Sequence, residues 1–419
     1  MKIYKDLGEG MIIHNLKESD INSLIDLVKR VFPDINVSPT VRRLINYYPM
    51  FSLKDSIMVF DTNSNKVIAY LCLIRGIFVF NGIEIPFGQM EIVGTDPDFQ
   101  HRGLIRELNL VYEELSSEYN LPILIIHGIP YFYRQFKYEF ALPSESFLPI
   151  ALEIIPPLKN GEIEPLTIEK VKNKKFFENY LSCRTKRNSF LDLYRKVDTD
   201  HWEYISHGKL GEVGGIDLYI IKKEDHYVGC FYLEEFFKKI QIRELWLESV
   251  HYAPSVLRFV MKIARSFNLP LCVSRPAQES LVPYFEHITE AKFPTPYAFY
   301  VRIPSIKKFL ILIKPVLEAR LAASEFKQIT DLITLSCYTE GFTLNFEHGK
   351  LKEVEQLKKN ELGESHIRIP PLIVYQLLLG YRTLNELEEI YPDVSVNALY
   401  KSLIQTLFPK VKASITPSL

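Results

Sequence analysis

The sequence predicts a mixed α+β protein built from three successive sections. Apolar residues at helical spacing alternate with short strand-like runs and turn residues through most of the 419 residues. The order of helices, antiparallel strands, then strand, loop, helix and strand occupies residues 1–150 and recurs in coarse outline in residues 151–302. A break at Arg302-Ile303-Pro304 then opens the third section, residues 303–419.

Composition excludes several classes of protein. Hydrophobic residues make up 47% of the chain, and 50 basic against 51 acidic residues leave a net charge of −1 that favours neither nucleic acid nor anionic membrane. Five dispersed cysteines without a Cys-x-x-Cys pair argue against a zinc site or a disulfide framework. The N-terminus lacks a signal-peptide pattern, and charges interrupt the apolar stretch from Val67 to Phe87. We expect a cytoplasmic protein without metal, nucleic-acid or membrane partners.

The first section begins with two amphipathic helices, over Leu16–Val31 and Val41–Tyr47. Asn81-Gly82 is a strong hairpin signal between two of the strands that follow. The predicted strands and helix after that point are Ser56–Asp61, Val67–Ile74, Ile77–Phe80, Ile83–Phe87, a strand from Gln89, a helix over Leu104–Tyr119 and a strand over Pro122–Ile126.

The second and third sections contain the same kinds of element. Predicted elements of the second section are strands Leu218–Lys222, Tyr227–Glu234 and Gln241–Leu247, a helix Val256–Phe267 and a strand Leu271–Ser274. Those of the third are a helix Ile306–Ala323, strands Leu332–Thr339 and Gly341–Glu347, and a helix Pro371–Leu379 that ends at Gly380, a favoured C-cap. An unrelated α+β domain is the alternative for the second section.

The segment from Ile92 to Arg106 carries the strongest functional signal. An apolar strand breaks at Asp96-Pro97, and a helical pattern begins at Leu104 after a short turn. This geometry aims unpaired backbone N–H groups at one point, where they bind phosphate, and Gly103 permits close approach of the ligand. Three basic side chains add positive charge there: His101, Arg102 and Arg106. A surface turn with incidental basic residues is the alternative.

The Gln-x-x-Gly-x-x order that begins at Gln100 resembles the coenzyme A loop of the GNAT N-acetyltransferases. The family usually has Gly or Ala where this chain has Ile105, but Gly-Leu-Ile-Arg looks like the Gly-Leu-Leu-Arg variant of the Eis-like (enhanced intracellular survival) branch. The resemblance implies that acetyl-CoA is the co-substrate. It also implies the following binding residues: Val93, Gly94, Thr95, Gln100, His101, Arg102, Gly103, Leu104, Ile105, Arg106, Gly128 and Ile129.

The remaining sections extend this resemblance over nearly the whole chain. Residues 248–254 hold neither Gly nor a basic residue of the loop type, so the second section resembles a degenerate GNAT domain without cofactor. Residues 377–387 and Leu407-Phe408-Pro409 resemble the sterol-carrier-like C-terminal domain of the Eis family. The resemblance implies a homo-oligomer, a hexamer in the family.

The proton donor is expected in the segment Tyr131 to Tyr138. Its Tyr-x-x-Phe-x-Tyr spacing matches the Eis-like segment that carries a catalytic tyrosine, which implies Tyr133. A phenol with a pKa near 10 suits a thiolate leaving group of pKa about 8–9. Tyr131 and Tyr138 are the alternatives, and a packing role for the aromatic ring is another.

Three groups compete for the role of general base. The resemblance implies the terminal α-carboxylate of Leu419, although a frayed terminus is the ordinary expectation. Glu91 is the fallback base, or else a solvated sheet residue. His127 has a suitable pKa, but a single strand-end histidine is more often structural.

We therefore expect acetyl transfer to a primary amine of the aminoglycoside, polyamine or lysine type. Aromatic residues of the first section, among them Tyr47 and Tyr48, are expected near the acceptor. One alternative is a non-enzymatic lipid- or acyl-CoA-binding protein that uses the third section. Its tunnel would be lined by Leu372, Ile373, Leu377 and Leu378. The helical spacing of these residues also fits simple packing in a core. The other is an N-acyltransferase with a longer acyl donor.

Overall fold

The computed structural model of the protein describes residues 2–416 and contains three β-sheets with helices on their faces. The first section opens with a two-stranded hairpin that the sequence did not suggest, because its first strand is largely exposed and polar. Its elements are β1 (Ile3–Gly8), β2 (Met11–Asn15), α1 (Ile21–Val31), α2 (Ser38–Tyr47), β3 (Ser56–Asp61), β4 (Lys66–Phe80), β5 (Ile83–Thr95), α3 (Leu104–Glu118), β6 (Ile123–Ile126) and β7 (Glu139–Pro143).

Strands β4 and β5 form the centre of the first sheet. The two strands predicted on either side of Arg75-Gly76 are one strand, because the ladder to β5 continues through both residues. Gly76 is required there: a Cβ at this position would lie 2.6 Å from the ring of Phe87. The predicted Asn81-Gly82 hairpin joins the two strands, and both turn residues have positive φ.

The second sheet combines five strands of the second section with the last strand of the first, β8 (Phe147–Ile150). The elements of the second section are β9 (Thr167–Lys170), α4 (Lys174–Asn188), β10 (Leu193–Arg195), α5 (Trp202–Ser206), β11 (Ile216–Lys223), β12 (His226–Phe236), β13 (Lys239–Leu247), α6 (Ala253–Phe267), β14 (Leu271–Ser274), α7 (Val282–Thr289) and β15 (Ala298–Arg302). The order in this sheet is β8-β14-β13-β12-β11-β9.

Two of the exchanged strands end at the predicted section boundaries, and the third lies inside the second section. Strand β15, which precedes the boundary at residue 302, inserts between β6 and β7 of the first sheet. Strand β8, which precedes the boundary at residue 150, pairs with β14 of the second sheet. Strand β10 pairs with the far end of β4. The first two sections are therefore joined through shared sheets rather than through a linker alone.

The third section packs a small five-stranded sheet against helices. Its elements are α8 (Ile306–Leu312), α9 (Lys314–Ala322), β16 (Asp331–Ser336), β17 (Gly341–Glu347), β18 (Lys350–Gln356), β19 (Ile367–Arg368), α10 (Val374–Leu378), α11 (Leu384–Ile390), β20 (Ser395–Val396), α12 (Lys401–Leu407) and β21 (Ala413–Ser414). The single helix predicted over 306–323 divides at Ile313, because Pro315 in the first turn of α9 lacks an N–H to continue the ladder.

The third section shares its hydrophobic core with the first. Side chains from β4, β5, β6 and β15 pack in one cluster with those of α8 to α12. Ile373, Leu377 and Leu378 are buried in that cluster, and Leu372 packs against it. Among residues 2–416, every helix is too short or too polar to span a lipid bilayer.

Candidate active site

Strand β5 separates from its neighbour β6 at the centre of the first sheet. The two strands pair in parallel from Phe87↔Ile123 to Gln89↔Ile125, and within the described chain their ladder goes no further. Beyond that point β5 continues along β4 to Thr95, with a bulge at Ile92, whose φ is +53°. The bulge turns β5 away from β6, so a wedge-shaped opening forms between the two strands.

The loop after β5 presents a row of unused amides at the wide end of this opening. Across residues 2–416, no hydrogen bond begins at the backbone N–H of His101, Arg102, Gly103, Leu104 or Ile105. His101 and Gly103 have φ values of +63° and +75°, which turn successive amides toward the same side. Five free N–H groups at the N-terminus of a 15-residue helix form an anion-binding concavity.

Ion pairing and packing hold this loop in place. The Arg30 guanidinium of α1 lies 2.7 Å from the carboxylate of Asp96, which in turn accepts a hydrogen bond from the backbone of Asp98. Arg102 lies over the ring of Phe99, 4.9 Å from its centroid. The side chains of Arg102 and of the other two basic residues predicted there are exposed, and all three residues line the cavity beside the loop.

A cavity of about 840 Å³ joins the loop, the opening and one tyrosine. Eleven of the twelve predicted cofactor residues line it: Val93 to Thr95, Gln100 to Arg106, and Ile129. Tyr133 lies in the same wall, at the end where the strands separate. Gly128 is not a lining residue; it lies behind Tyr133.

Tyr133 is fixed by close packing in the short 3₁₀ helix Phe132–Phe136. Only 6% of its surface is exposed, and a Cβ on Gly128 would lie 2.0 Å from a ring carbon of Tyr133. The ring of Tyr300, from the exchanged strand β15, lies on another side at 5.8 Å between centroids. Burial raises the pKa of Tyr133, and the charge of Glu91 raises it further, so the phenol carries its proton at neutral pH.

The alternative tyrosines lie in different surroundings. Tyr131 is 75% exposed at the protein surface, and its backbone N–H donates to the hydroxyl of Tyr300 at 2.6 Å. Tyr138 is fully buried, and burial raises the pKa of its phenol. Neither residue lines the cavity that Tyr133 shares with the loop.

Glu91 lies one residue before the bulge, beside a hydrogen-bonded chain that reaches the second section. Its carboxylate accepts a hydrogen bond of 2.5 Å from Gln89, whose side-chain oxygen accepts one of 3.1 Å from Arg195. Arg195 also donates to the hydroxyl of Tyr48 at 2.7 Å. Burial raises the pKa of Glu91 although these neighbours oppose the shift. Sequence reasoning missed Arg195, because only the exchanged strand β10 brings it here.

His127 lies away from the cavity. Its ring contacts those of Tyr297 and Phe299, and Nε2 lies 3.2 Å from the Ser144 hydroxyl. Burial lowers the pKa of His127, with a smaller effect from the charge of Arg243. These contacts fit a structural histidine.

Leu419, the residue predicted to supply a terminal carboxylate, lies outside the described residues. The preceding segment is well packed: Ile415 is 1% exposed and Thr416 is 5% exposed. Strand β21 pairs in parallel with β10, two residues before Thr416. The third section therefore extends into the interface between the first two.

The corresponding region of the second section lacks an anion-binding row. Before α6, the amide of His251 donates to the Ser249 hydroxyl and that of Tyr252 donates to the Ser249 carbonyl. Pro254, in the first turn, has no N–H to offer. Among the described residues, no group of three or more His, Cys, Asp or Glu side chains could hold a metal ion.

Residues 12–141 match the family model of the acetyltransferase (GNAT) domain. This segment is a GNAT acetyltransferase domain. The match spans the splayed strands, the amide row and Tyr133, so the chain is an enzyme of the acetyltransferase class. No curated protein sequence matches the chain.

Solved structures share the architecture at low sequence identity. A GCN5-related N-acetyltransferase from Anabaena variabilis has a TM-score of 0.67 at 17% identity, with 97% of this chain and 99% of that chain covered. Eis1 from Mycobacterium abscessus has a TM-score of 0.59 at 11% identity, covering 96% and 98%. N-myristoyltransferase from Saccharomyces cerevisiae has a TM-score of 0.52 at 9% identity, covering 71% and 80%. The likeness in fold to the Anabaena and Mycobacterium proteins extends over all three sections of this chain. A sterol-carrier-like fold of the third section stays a prediction.

Proposed function

We propose that the protein transfers an acetyl group from acetyl-CoA to a primary amine, with one cofactor site per chain. The observation that carries the proposal is the single cavity that combines five unpaired amides, the splayed strand and Tyr133. The amides of residues 101–105 suit a diphosphate, and the free edge of β5 suits an extended amide-containing arm. Acceptor amines of the aminoglycoside, polyamine or lysine type follow from the resemblance to the Eis family.

The chemistry needs a base and an acid on opposite sides of the thioester. The deprotonated amine attacks the thioester carbonyl, a C–N bond forms and the C–S bond breaks, and the thiolate takes a proton from Tyr133. Burial raises the pKa of Tyr133, so the phenol is protonated when the amine attacks, but the same shift makes it a weaker acid toward the thiolate. The base takes one proton from the ammonium before the attack, and the second proton, which the nitrogen loses as the amide forms, restores the Tyr133 phenol through solvent.

Two carboxylates are candidates for the base. Glu91 lies close enough to raise the pKa of Tyr133, and its own raised pKa makes it a better proton acceptor than an ordinary carboxylate. The α-carboxylate of Leu419 is the base that the Eis resemblance implies, and the burial of Ile415 and Thr416 at the interface of the first two sections supports it. Deleting Ser418 and Leu419 should abolish turnover if the second candidate is correct, and Glu91→Gln should do so if the first is correct.

The donor is the first matter to test. A thiol-release assay should compare acetyl-CoA with myristoyl-CoA against a set of diverse amines; the fold shared with N-myristoyltransferase makes the longer donor the second candidate. We expect release from acetyl-CoA in the presence of an amine. Release from myristoyl-CoA alone would overturn the choice of donor.

Titration calorimetry tests the site itself. Wild-type protein should bind one CoA per chain, and Gly103→Asp should abolish binding, because a carboxylate would face the amide row and repel the diphosphate. Gly363→Asp is the matched control, since Gly363 is an exposed glycine of the third section with open space around it. Two sites per chain, or undiminished binding by Gly103→Asp, would contradict the proposal.

A further inference from the structure

The second section repeats the splayed strand pair of the GNAT domain. Strands β13 and β14 pair in parallel from Ile240↔Leu271 to Ile242↔Val273, after which β13 continues alone on that side to Leu247. A register shift on the β12 side marks a bulge, and Glu244 has a φ of +50°. This arrangement parallels the one in β5, and a helix of the same length, 15 residues, follows in both sections.

A segment of the third section fills the space beside this second bulge. The segment is residues 411–416, called the terminal segment below. Its backbone forms a parallel ladder with β10, and the carbonyl of Lys412 accepts hydrogen bonds from the amides of Asp192 and Leu193 at 2.9 and 3.1 Å. Ile415 packs in the core shared by the first and third sections.

Three buried ionic side chains hold the end of the terminal segment. Glu244 accepts two hydrogen bonds from Arg184, at 2.7 and 2.9 Å, and lies 3.2 Å from Arg187. Arg184 also donates to the carbonyl of Thr416 at 3.1 Å, and Arg187 donates to the hydroxyl of Ser414 at 2.8 Å. The Thr416 hydroxyl completes the set by donating to Glu244 at 3.4 Å. All three ionic side chains are less than 6% exposed.

The same arginine connects this cluster to the active site. Nη1 of Arg184 donates to the carbonyl of Arg195 at 3.2 Å. The side chain of Arg195 holds Gln89, and Gln89 holds the carboxylate of Glu91. Arg184 thus contacts the terminal segment and also strand β10. The Arg195 side chain of β10 orients Glu91, a candidate base, through Gln89.

We propose that the second section is a receptor for the terminal segment, with Arg184, Arg187 and Glu244 as positioning residues for acyl transfer. The strand opening that holds the co-substrate in the GNAT domain is used here to fix part of the chain itself. This inference rests on the proposed acetyl transfer for its effect on rate, but the receptor part stands on the contacts alone. Buried charges whose hydrogen bonds join the terminal segment to α4, β10 and β13 serve to define one geometry.

Arg184→Lys tests the proposal with least disturbance of charge. A lysine can still pair with Glu244, but it lacks the planar fork that reaches Thr416 and Arg195 at the same time. We expect hydrogen exchange of the terminal segment to accelerate by about tenfold or more and kcat to fall by about tenfold, as for a displaced catalytic group, with KM for acetyl-CoA within about twofold. A merely structural loss would not separate kcat from KM in this way.

Two further variants keep the test decisive. Arg258→Lys is the matched control, because Arg258 makes a similar two-bonded pair with Glu164 in the second section and does not contact the terminal segment; it should change neither exchange nor kcat. The double variant Ser414→Ala/Thr416→Val removes two hydroxyl contacts and leaves the ion pairs intact. It should act in the same direction as Arg184→Lys, and it replaces that variant if Arg184→Lys fails to fold.

The outcomes are distinguishable. Unchanged exchange of the terminal segment in both variants would overturn the receptor. Faster exchange with unchanged kcat would overturn the positioning role while leaving acetyl transfer intact. Wild-type protein without transfer to any amine would refute the proposed function and the positioning role, and the exchange measurement would still decide the receptor.

Discussion

Gly128→Ala is the most direct test of Tyr133 as the proton donor, because it alters no reactive group. A methyl group at this position would lie 2.0 and 2.3 Å from two ring carbons of Tyr133, whereas ordinary contact begins at 3.4 Å. The ring must therefore move by about 1.4 Å, the difference between 3.4 and 2.0 Å. Tyr300 and the 3₁₀ helix restrict its escape, so the hydroxyl shifts relative to the thioester.

A displacement of about 1 Å in a catalytic group costs on the order of 100-fold in rate. We expect kcat of Gly128→Ala to fall by about that factor, while CoA affinity by calorimetry stays within about twofold, because the amide row is untouched. Tyr133→Phe should lower kcat by about 10²–10⁴-fold. Since both changes act through one phenol, the double variant should be no slower than Tyr133→Phe.

The control for this cycle is Gly363→Ala, which places a methyl group in open space and should leave turnover unchanged. Additive losses in the double variant would mean that Gly128 and Tyr133 act independently. If Tyr133→Phe keeps wild-type turnover and Tyr131→Phe or Tyr138→Phe loses it, the proton donor is that other tyrosine.

Three more predictions concern ionic groups of the site and its support. If Glu91 is the base, kcat/KM should fall as the pH drops through an inflection that lies above about 4.3, the ordinary pKa of Glu, because burial raises the pKa of Glu91. Glu91→Gln should remove that inflection. A pH profile that is unchanged in Glu91→Gln would assign the base to another group. Arg30→Ala removes a partly exposed ion pair to the loop that follows β5. In initial-rate measurements it should raise KM for acetyl-CoA by up to about fivefold and leave kcat nearly constant. A large fall in kcat would contradict a role of Arg30 that is limited to the loop. Arg184→Met should lower the free energy of unfolding in urea by about 3–5 kcal/mol, because it leaves Glu244 buried without its main partner. Burial alone would raise the pKa of Glu244, but Arg184 and Arg187 hold it below its usual range; the ion pair therefore stabilises the fold above about pH 4.3, and the difference between variant and wild type should shrink in stronger acid.

The local features of the site were accessible from sequence because short-range physics determines them. The strand before Asp96-Pro97, the glycine at position 103 and the amphipathic helix that follows each carry their own signal. The amide row follows from that order of elements, whereas Tyr133 is implied by the resemblance of residues 131–138 to the Eis-like enzymes. The Asn81-Gly82 hairpin was predictable for the same reason.

Features that depend on distant parts of the chain could not be read in this way. Nothing in the residues of β15 shows that it pairs with β6 and β7, because an apolar five-residue strand fits either sheet. Arg195 and Arg184 are ordinary arginines until strand exchange and helix α4 bring them to Gln89 and Thr416. Pro315 indicates the division of the helix at Ile313. The apolar residues continue at helical spacing on both sides of the division, and this continuity favours a single helix in a sequence-based prediction.

The insertion of β15 determines when β6 and β7 can be joined during synthesis of the chain. About 150 residues separate Pro143, at the end of β7, from Ala298, at the start of β15, and translation at 5–20 residues per second needs about 10–30 s to supply them. During that interval β6 and β7 have open edges, and open strand edges make a partly folded chain prone to aggregation. Tyr300, whose ring packs against that of Tyr133, is added only with β15. A chain truncated within the second section would therefore keep the loop of residues 100–106 and Tyr133 but lack the strand that joins β6 to β7.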